Sequence, residues 1–370
     1  MASRSLYLAF YISAVKSVIS LAFARLYSPQ RPILLDLSGQ IAIVTGANSG
    51  IGLAVATSLA CEGATVYLAC RNLEKGRAAV DSVVSQIGAE EKHRVHCWKL
   101  DVGDLDSVRA FCERWAKEGR KIDILVHNAG IAEPPPGARN TDDKGRDLVF
   151  MTNFIGSFLM THLLERHLSA DARVLFTSST GHYASKSVLQ SRPPSLNIPA
   201  GGQSLVRTVV RSIKTYMGIG PSSTHSYAHS KAAQVLFVHL LQVHFSSQSK
   251  RTAHAFSPGF TRTPIFHTIP LSLKTWFSDP LYAVLKATEK YLAVDPQEGA
   301  QTGVWLAMWG GVEGKHKVIE GGGYWDFMVR RTSLVDLVRG SLGEDAFREK
   351  CRGVWKGWEE DAGCLWGVEI

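Results

Sequence analysis

The chain reads as an α/β protein: a doubly wound parallel sheet in a single domain, preceded by a hydrophobic helix and followed by an irregular C-terminal extension. Three observations carry that expectation. From Gln40 onward, short apolar runs alternate with segments whose apolar positions recur every three to four residues. The runs are apolar almost throughout, as strands are when helices cover both faces of their sheet. No shift in composition interrupts residues 40–265, so one domain accounts for them.

The strands follow in order as IAIVTG (41–46), ATVYLAC (64–70), RVHCWKL (94–100), IDILVHN (122–128), ARVLFTS (172–178) and TAHAFSP (252–258). Helical periodicity fills 50–62, about 72–87 and about 224–246. Beyond the sixth strand the pattern loosens to a helix around 297–310, a short strand near 317–319 and a tail with Trp355, Trp358 and Trp366. The expected organisation is a leader over 1–30, a catalytic domain over 38–320 and an extension over 321–370.

Composition narrows the function classes. Hydrophobic residues make up 45% of the 370 and charged residues 20%, which excludes wholesale disorder, collagen-like repeats and a disulfide mini-scaffold. The net charge of +8 is lopsided: Arg4, Lys16, Arg25 and Arg31 stand in the first 35 residues with no acid among them. Only the other half of the excess belongs to the body of the chain, which excludes a nucleic-acid binder with a basic face. The six cysteines form no CxxC pair and no metal-ligand cluster, and they read as reduced thiols packed as small hydrophobes.

Residues 5–26 are strongly apolar but interrupted by Lys16, and a clean spanning helix needs ~20 apolar residues with few charges. Ser13, Lys16, Ser17 and Ser20 fall on one helical face, and Leu8, Phe10, Ile12, Val15, Ile19 and Phe23 are assigned to the other. That suits a helix lying in a membrane interface, with a tilted single span as the alternative. A secretory signal, a mitochondrial presequence and a helix packed on the protein itself stay open beside it.

TGANSGIG (45–52) joins the first strand to the first helix. Gly46, Gly50 and Gly52 let the backbone turn tightly and approach a pyrophosphate at the positive end of a helix, in the manner of a Rossmann-type dinucleotide site. Asn48, Ser49 and Ile51 lie within the same turn and count among its cofactor contacts. The second strand ends in Cys70-Arg71-Asn72, where an NAD site would offer an acid to the ribose. Arg71, with Lys75 one turn later, suits a 2′-phosphate, so NADP(H) is expected in preference to NAD(H). Tyr227 and Lys231 are four residues apart on a predicted helix and project from one face. A phenol is a poor acid or base at neutral pH, and a neighbouring ammonium favours its ionised form.

TGANSGIG with YAHSK (227–231) resembles the short-chain dehydrogenase/reductase family, over about residues 38–310. CRN (70–72) and PQEGAQT (296–302) are similar to its retinol-dehydrogenase-like branch, whose members often carry an N-terminal membrane anchor. The resemblance implies that Tyr227 is the acid/base, that Lys231 also holds the nicotinamide ribose, and that Ser179, second of the SS pair, positions the substrate oxygen. It implies that Asn153 in TNFIG kinks a helix and places a water beside Lys231. Asp101 matches the acid beside the adenine, and HNAG (127–130) matches the family's NNAG with His127 for the first Asn, a departure expected to loosen local hydrogen bonding; Asn128 is kept. In PGFTRT (258–263), Phe260 and Thr263, with Thr261 near them, would fix the carboxamide. Tyr183-Ala-Ser-Lys186 is a decoy, one residue short and too near Ser179.

The 48 residues from Ser179 to Tyr227 are a long separation for this family. The insertion at about 182–224 reads as substrate mouth, membrane-dipping loop or surface excursion, and 264–290 as a bulky apolar lid suited to a lipophilic substrate. His225 reads as structural. The expectation is a membrane-associated NADP(H)-dependent oxidoreductase interconverting a lipophilic ketone or aldehyde and its alcohol. An enone reductase on the same scaffold and a non-catalytic NADP-binding sensor are the rivals, and the latter is disfavoured because Ser179, Tyr227, Lys231 and Asn153 are all present. The endoplasmic reticulum or a lipid droplet, with the catalytic domain in the cytosol, is the expected location, and a mitochondrial one the alternative. A homodimer through the Tyr227 helix is common in the family, though membrane-bound members vary.

Overall fold

A computed structural model describes residues 3–22, 35–135, 137–185, 188–193, 222–246, 249–262, 293–309 and 319–368. Helix α1 (Arg4–Ala22) precedes β1 (Ile41–Thr45), α2 (Gly50–Cys61), β2 (Thr65–Cys70), α3 (Leu73–Ile87), β3 (Val95–Lys99), α4 (Leu105–Glu118) and β4 (Ile122–His127). A π-helical turn (Met151–Ile155) leads into α5 (Gly156–Leu164), then β5 (Leu168–Thr177), α6 (Ser222–Ser246), β6 (Thr252–Ser257) and α7 (Pro296–Trp309). The chain continues through β7 (Gly323–Asp326), β8 (Val329–Arg331), α8 (Leu334–Leu342) and α9 (Glu344–Ala362). The sheet order is β3-β2-β1-β4-β5-β6-β7-β8. All pairs are parallel except β7 with β8.

The apolar character of the strands finds its cause in two separate cores. On one face Ile43, Tyr67, Trp98, Leu125, Val174 and Phe176 pack with α4, α5, α6 and α9. On the other, Ala42, Val44, Val66, Leu68, Ile124 and Val126 pack with α2, α3 and α7. Strand order reverses between β1 and β4, which opens a crevice at the carboxyl ends of these strands.

The tail departs from the sequence expectation. It is regular: β7 and β8 extend the main sheet, α8 starts with a capping box between Ser333 and Asp336, and α9 runs to Ala362. A short strand lies at Gly323–Asp326; the one expected near 317–319 falls largely on residues 310–318, which are outside the described residues. The signal for α9 is present in the sequence, where Phe347, Cys351, Val354, Trp355 and Trp358 recur at helical spacing among charged residues and form its buried face. Trp358 is fully buried and meets Phe154 edge-on at 4.6 Å, and Trp355 meets Phe158 at 5.2 Å. All six cysteines are free thiols. The segment Leu148–His167 has the length and hydropathy of a membrane span, but 72% of it is buried, and it is a core element.

Because α9 closes one of the two cores, Trp358→Ala should cost about 3–5 kcal/mol. Denaturant unfolding followed by far-UV circular dichroism measures it; a loss under about 1 kcal/mol would mean that the tail is an appendage.

Candidate active site

The glycine turn sits at the end of β1. Gly46 and Gly50 adopt φ of 64° and 57°, a region that other residues occupy at a cost. A β-carbon on Gly46 would lie 2.9 Å from the Ala129 Cα, and one on Gly52 would collide with the Asn128 amide. Ser49 caps α2 in extended backbone and makes no side-chain bond to the helix, so the first amides of α2 keep their hydrogens for an anion. Asn48 lies in the turn, and Ile51 packs partly buried against the core.

Thr45, inside the motif but assigned no role from sequence, ties the turn to β4. Its hydroxyl accepts from the backbone N–H of Asn128 at 2.9 Å and of Ala129 at 3.0 Å. The Asn128 amide donates to the Thr45 carbonyl at 3.1 Å and accepts from Thr177 at 3.3 Å. His127 is packed and holds one hydrogen bond, but its Nδ1 is buried without a partner among the described residues, so the local hydrogen bonding is thinner there, as the departure implies. Its ring stacks on Phe176 at 4.5 Å and its Nε2 lies 2.9 Å from the Thr161 hydroxyl. That hydroxyl donates to the Ser157 carbonyl, so Nε2 carries the hydrogen. Burial drives the His127 pKa down to about 3, and the ring stays neutral.

At the end of β2, Arg71 is exposed and its Nε lies 4.0 Å from Asp101 Oδ2. The Asn72 side chain caps α3 by accepting from the Lys75 N–H at 2.9 Å, and the Lys75 side chain is exposed. Asp101 holds the next turn, accepting from the Gly103 N–H at 3.0 Å.

The Ser179, Tyr227 and Lys231 side chains come together from the end of β5 and from α6. Ser178 faces inward, its N–H donating to Phe256 and its hydroxyl to the Lys231 carbonyl at 3.0 Å. Ser179 stands partly exposed at the strand end, and its hydroxyl oxygen and the Tyr227 ring both lie against Gly181, each 3.4 Å from where a Gly181 β-carbon would sit. The second serine of the pair is therefore the one at the site. Burial raises the Tyr227 pKa, and the Ser179 hydroxyl opposes that rise. The Lys231 ammonium lies 5.4 Å from the centre of the Tyr227 ring and donates to the Thr177 carbonyl at 2.8 Å. Burial brings its pKa down to about 7.

Asn153 occupies the middle of the π-helical turn, the helix distortion expected at that position. Its Oδ1 accepts from the Ile131 N–H at 2.7 Å, and its Nδ2 donates to the Ile131 carbonyl at 2.9 Å and the Ser230 hydroxyl at 3.0 Å. The amide thus clamps the loop after β4 to the helix that carries Tyr227 and Lys231. Gln234, three residues past the lysine, donates to the Asn153 carbonyl at 2.8 Å.

Two further supports escaped sequence reading. Buried His182 donates from Nδ1 to the Ser179 carbonyl at 2.8 Å, which fixes the serine backbone. The two-residue turn between β7 and β8 puts Phe327 and Met328 at φ of 50° and 58°, a strained state for bulky residues. The Phe327 ring edge lies within 3.5 Å of where a Gly259 β-carbon would sit. Gly259 itself has φ of 70° in the Pro258-Gly259 turn, as the motif predicts. Thr261 is buried and its hydroxyl donates to the Pro258 carbonyl at 2.7 Å, so it faces away from a ligand, while Phe260 stays partly exposed. Thr263, the lid over 264–290 and residues 194–221 of the insertion lie outside the described residues, as does Lys186; Tyr183 of the decoy is packed against α1. Among the described residues no group of three His, Cys, Asp or Glu side chains could hold a metal ion.

A glycine-lined helix N-terminus at a sheet crossover, next to a Ser-Tyr-Lys group, defines a nicotinamide-dependent oxidoreductase site. Comparison with known proteins agrees. The model of the short chain dehydrogenase family matches residues 40–189. Retinol dehydrogenase 11 of Mus musculus is 32% identical over 281 residues, 75% of this chain and 76% of that one. Retinol dehydrogenase 12 of Homo sapiens is 33% identical over 282 residues, with the same coverage. A short chain dehydrogenase from Burkholderia cenocepacia J2315 in complex with NADP shares the fold, with a TM-score of 0.53, 22% identity and coverage of 79% of this chain and 97% of that one. The chain belongs to the short-chain dehydrogenase/reductase family of oxidoreductases, in its retinol-dehydrogenase-like branch.

The depressed Lys231 pKa has a measurable consequence. Between about pH 7 and 10.5 the unfolded chain binds a proton that the folded one does not, so this group makes stability rise with pH across that window. Lys231→Met should therefore melt above the wild type at pH 7 and below, with the gap closing toward pH 10.5. Thermal melts across that range test it; a gap independent of pH would refute the buried ammonium.

Proposed function

We propose that the protein is an NADP(H)-dependent oxidoreductase that interconverts a lipophilic ketone or aldehyde and its alcohol. The observation that carries the reading is the grouping of Ser179 and Tyr227 against Gly181, with the buried Lys231 ammonium 5.4 Å from the centre of the tyrosine ring. The glycine turn and the free amides of α2 suit the cofactor's pyrophosphate, Arg71 and Lys75 its 2′-phosphate, Asp101 its adenine end, and Asn128, Phe260 and Thr263 the approach to its nicotinamide end. Bound there, NADP(H) supplies the hydride chemistry. Ser179 orients the substrate oxygen, and Tyr227, protonated at neutral pH, gives that oxygen its proton in reduction. Lys231 stabilises the phenolate left behind. Asn153 holds the loop after β4 and α6 in register, so that a water beside Lys231 can return the proton.

A retinoid-like substrate is supported by the names of the retinol dehydrogenases that the chain resembles. The acid-free apolar leader supports attachment to a membrane, of the endoplasmic reticulum or a lipid droplet, with the catalytic domain in the cytosol.

Purified full-length protein supplied with retinaldehyde or a long-chain aldehyde should consume NADPH well ahead of NADH. Tyr227→Phe should lower turnover by about 10²–10⁴-fold with NADPH affinity unchanged. A Phe variant with wild-type turnover would rule out the acid/base assignment. Arg71→Ala should erode the preference for NADPH over NADH by about tenfold or more, and an unchanged ratio would remove the arginine from the phosphate site.

A further inference from the structure

Helix α1 meets the domain with its polar side inward. Leu6, Phe10, Ser13 and Ser17 form one row along the helix, and Phe10, Ser13 and Ser17 are buried. The Ser17 hydroxyl donates to Asp326 Oδ2 at 2.9 Å, and Asp326, at the end of β7, is fully buried. The Thr332 N–H donates to the Ser13 hydroxyl at 3.2 Å. Phe10, which the sequence reading placed on the outward face, meets the Tyr183 ring edge-on at 5.5 Å. Leu6 lies against Gly340 of α8, where a β-carbon would collide with it.

The opposite row, at the same spacing, is Leu8, Ile12, Val15 and Ile19, exposed by 61%, 44%, 54% and 46%. With Tyr7 and Tyr11 they make up six of the ten large hydrophobic side chains exposed among the described residues. A soluble domain rarely gathers such side chains in one place. The surroundings say what covers them. Arg4 and Lys16 are exposed on the same helix, and the first 35 residues hold no acid to repel an anionic surface. Tyrosines beside an aliphatic row suit the boundary between headgroups and acyl chains. A helix latched to the domain from Leu6 to Ser17 is not free to cross a bilayer.

We propose that α1 is a wall of the catalytic domain that lies in the plane of the membrane, latched by Ser17 to Asp326, with Leu8, Ile12, Val15 and Ile19 in the lipid. The latch also sets where the active site sits. Tyr183, under Phe10, belongs to the 3-10 turn Thr180–Ala184 that Ser179 begins. Gly181 of that turn lies against the Tyr227 ring, 3.4 Å separating its would-be β-carbon from Cε1. The helix thus seats the Ser179–Tyr227 pair beside the bilayer surface, where a lipophilic substrate dissolves; only this last clause rests on the proposed oxidoreductase function.

The test uses the full chain with an N-terminal epitope tag. In sealed microsomes the tag should be removed by added protease without detergent, and alkaline carbonate should release the protein. A protected tag with carbonate resistance means a spanning helix and overturns the proposal. Purified protein should float with vesicles of phosphatidylcholine containing phosphatidylserine. The quadruple variant Leu8→Ser, Ile12→Ser, Val15→Ser, Ile19→Ser should lose that binding by about a hundredfold or more, with its melting temperature and NADPH affinity unchanged. Wild type that stays off vesicles and sediments as a dimer would assign the row to a second copy and overturn the proposal. Ser17→Val should still float, but its turnover of a vesicle-borne long-chain aldehyde, relative to a water-soluble short-chain one, should fall by about tenfold. An unchanged ratio overturns the latch. Absence of NADPH binding in every version would sink the oxidoreductase reading, while tag accessibility would still decide the seat of the helix.

Discussion

Lys231 carries an ammonium into the interior and meets there a backbone carbonyl, that of Thr177, at 2.8 Å. With burial as the cause of its depressed pKa, the side chain is poised between charged and neutral forms near physiological pH. The fold around it is arranged to hold that geometry. The carbonyl belongs to the last residue of β5, whose position is set by β4 on one side and β6 on the other. The main chain at Lys231 is tied to the neighbouring serine of the strand end through the Ser178 hydroxyl.

A second tie runs through amides. Asn153 can reach both Ile131 and Ser230 because the π-helical turn advances its side chain relative to a regular helix. The same turn places Phe154 under Trp358, so the last helix of the chain packs directly beneath the residue that clamps the active site.

Much of this was legible in the sequence. The six strands of the parallel sheet, the glycine turn, the Tyr-Lys pair and the choice of Ser179 over Ser178 follow from local pattern and spacing or from the family resemblance they support. What was not legible depends on partners far apart in the chain. The packing of His127 is visible only once Thr161 and Phe176 are placed around it. His182 and Thr45 have no signature, because each acts by holding backbone. The rows of α1 were visible as rows, but no property of residues 4–22 tells which of them faces the domain; that is decided by the carboxylate of Asp326. Phe10 was assigned to the wrong row because hydrophobicity alone does not separate a side chain bound for lipid from one bound for a tyrosine ring.

The bond between Ser17 and Asp326 joins residues 309 apart in sequence, and that separation is also a delay. At ribosomal rates of about 5–20 residues per second, Asp326 is made roughly 15–60 s after Ser17. During that interval α1 has no surface on the protein to fold against, because the strand that receives it does not yet exist. Both of its rows are exposed while the sheet is being built, and the apolar row can meet a membrane or a chaperone first. The helix is thus made long before the strand that seats it.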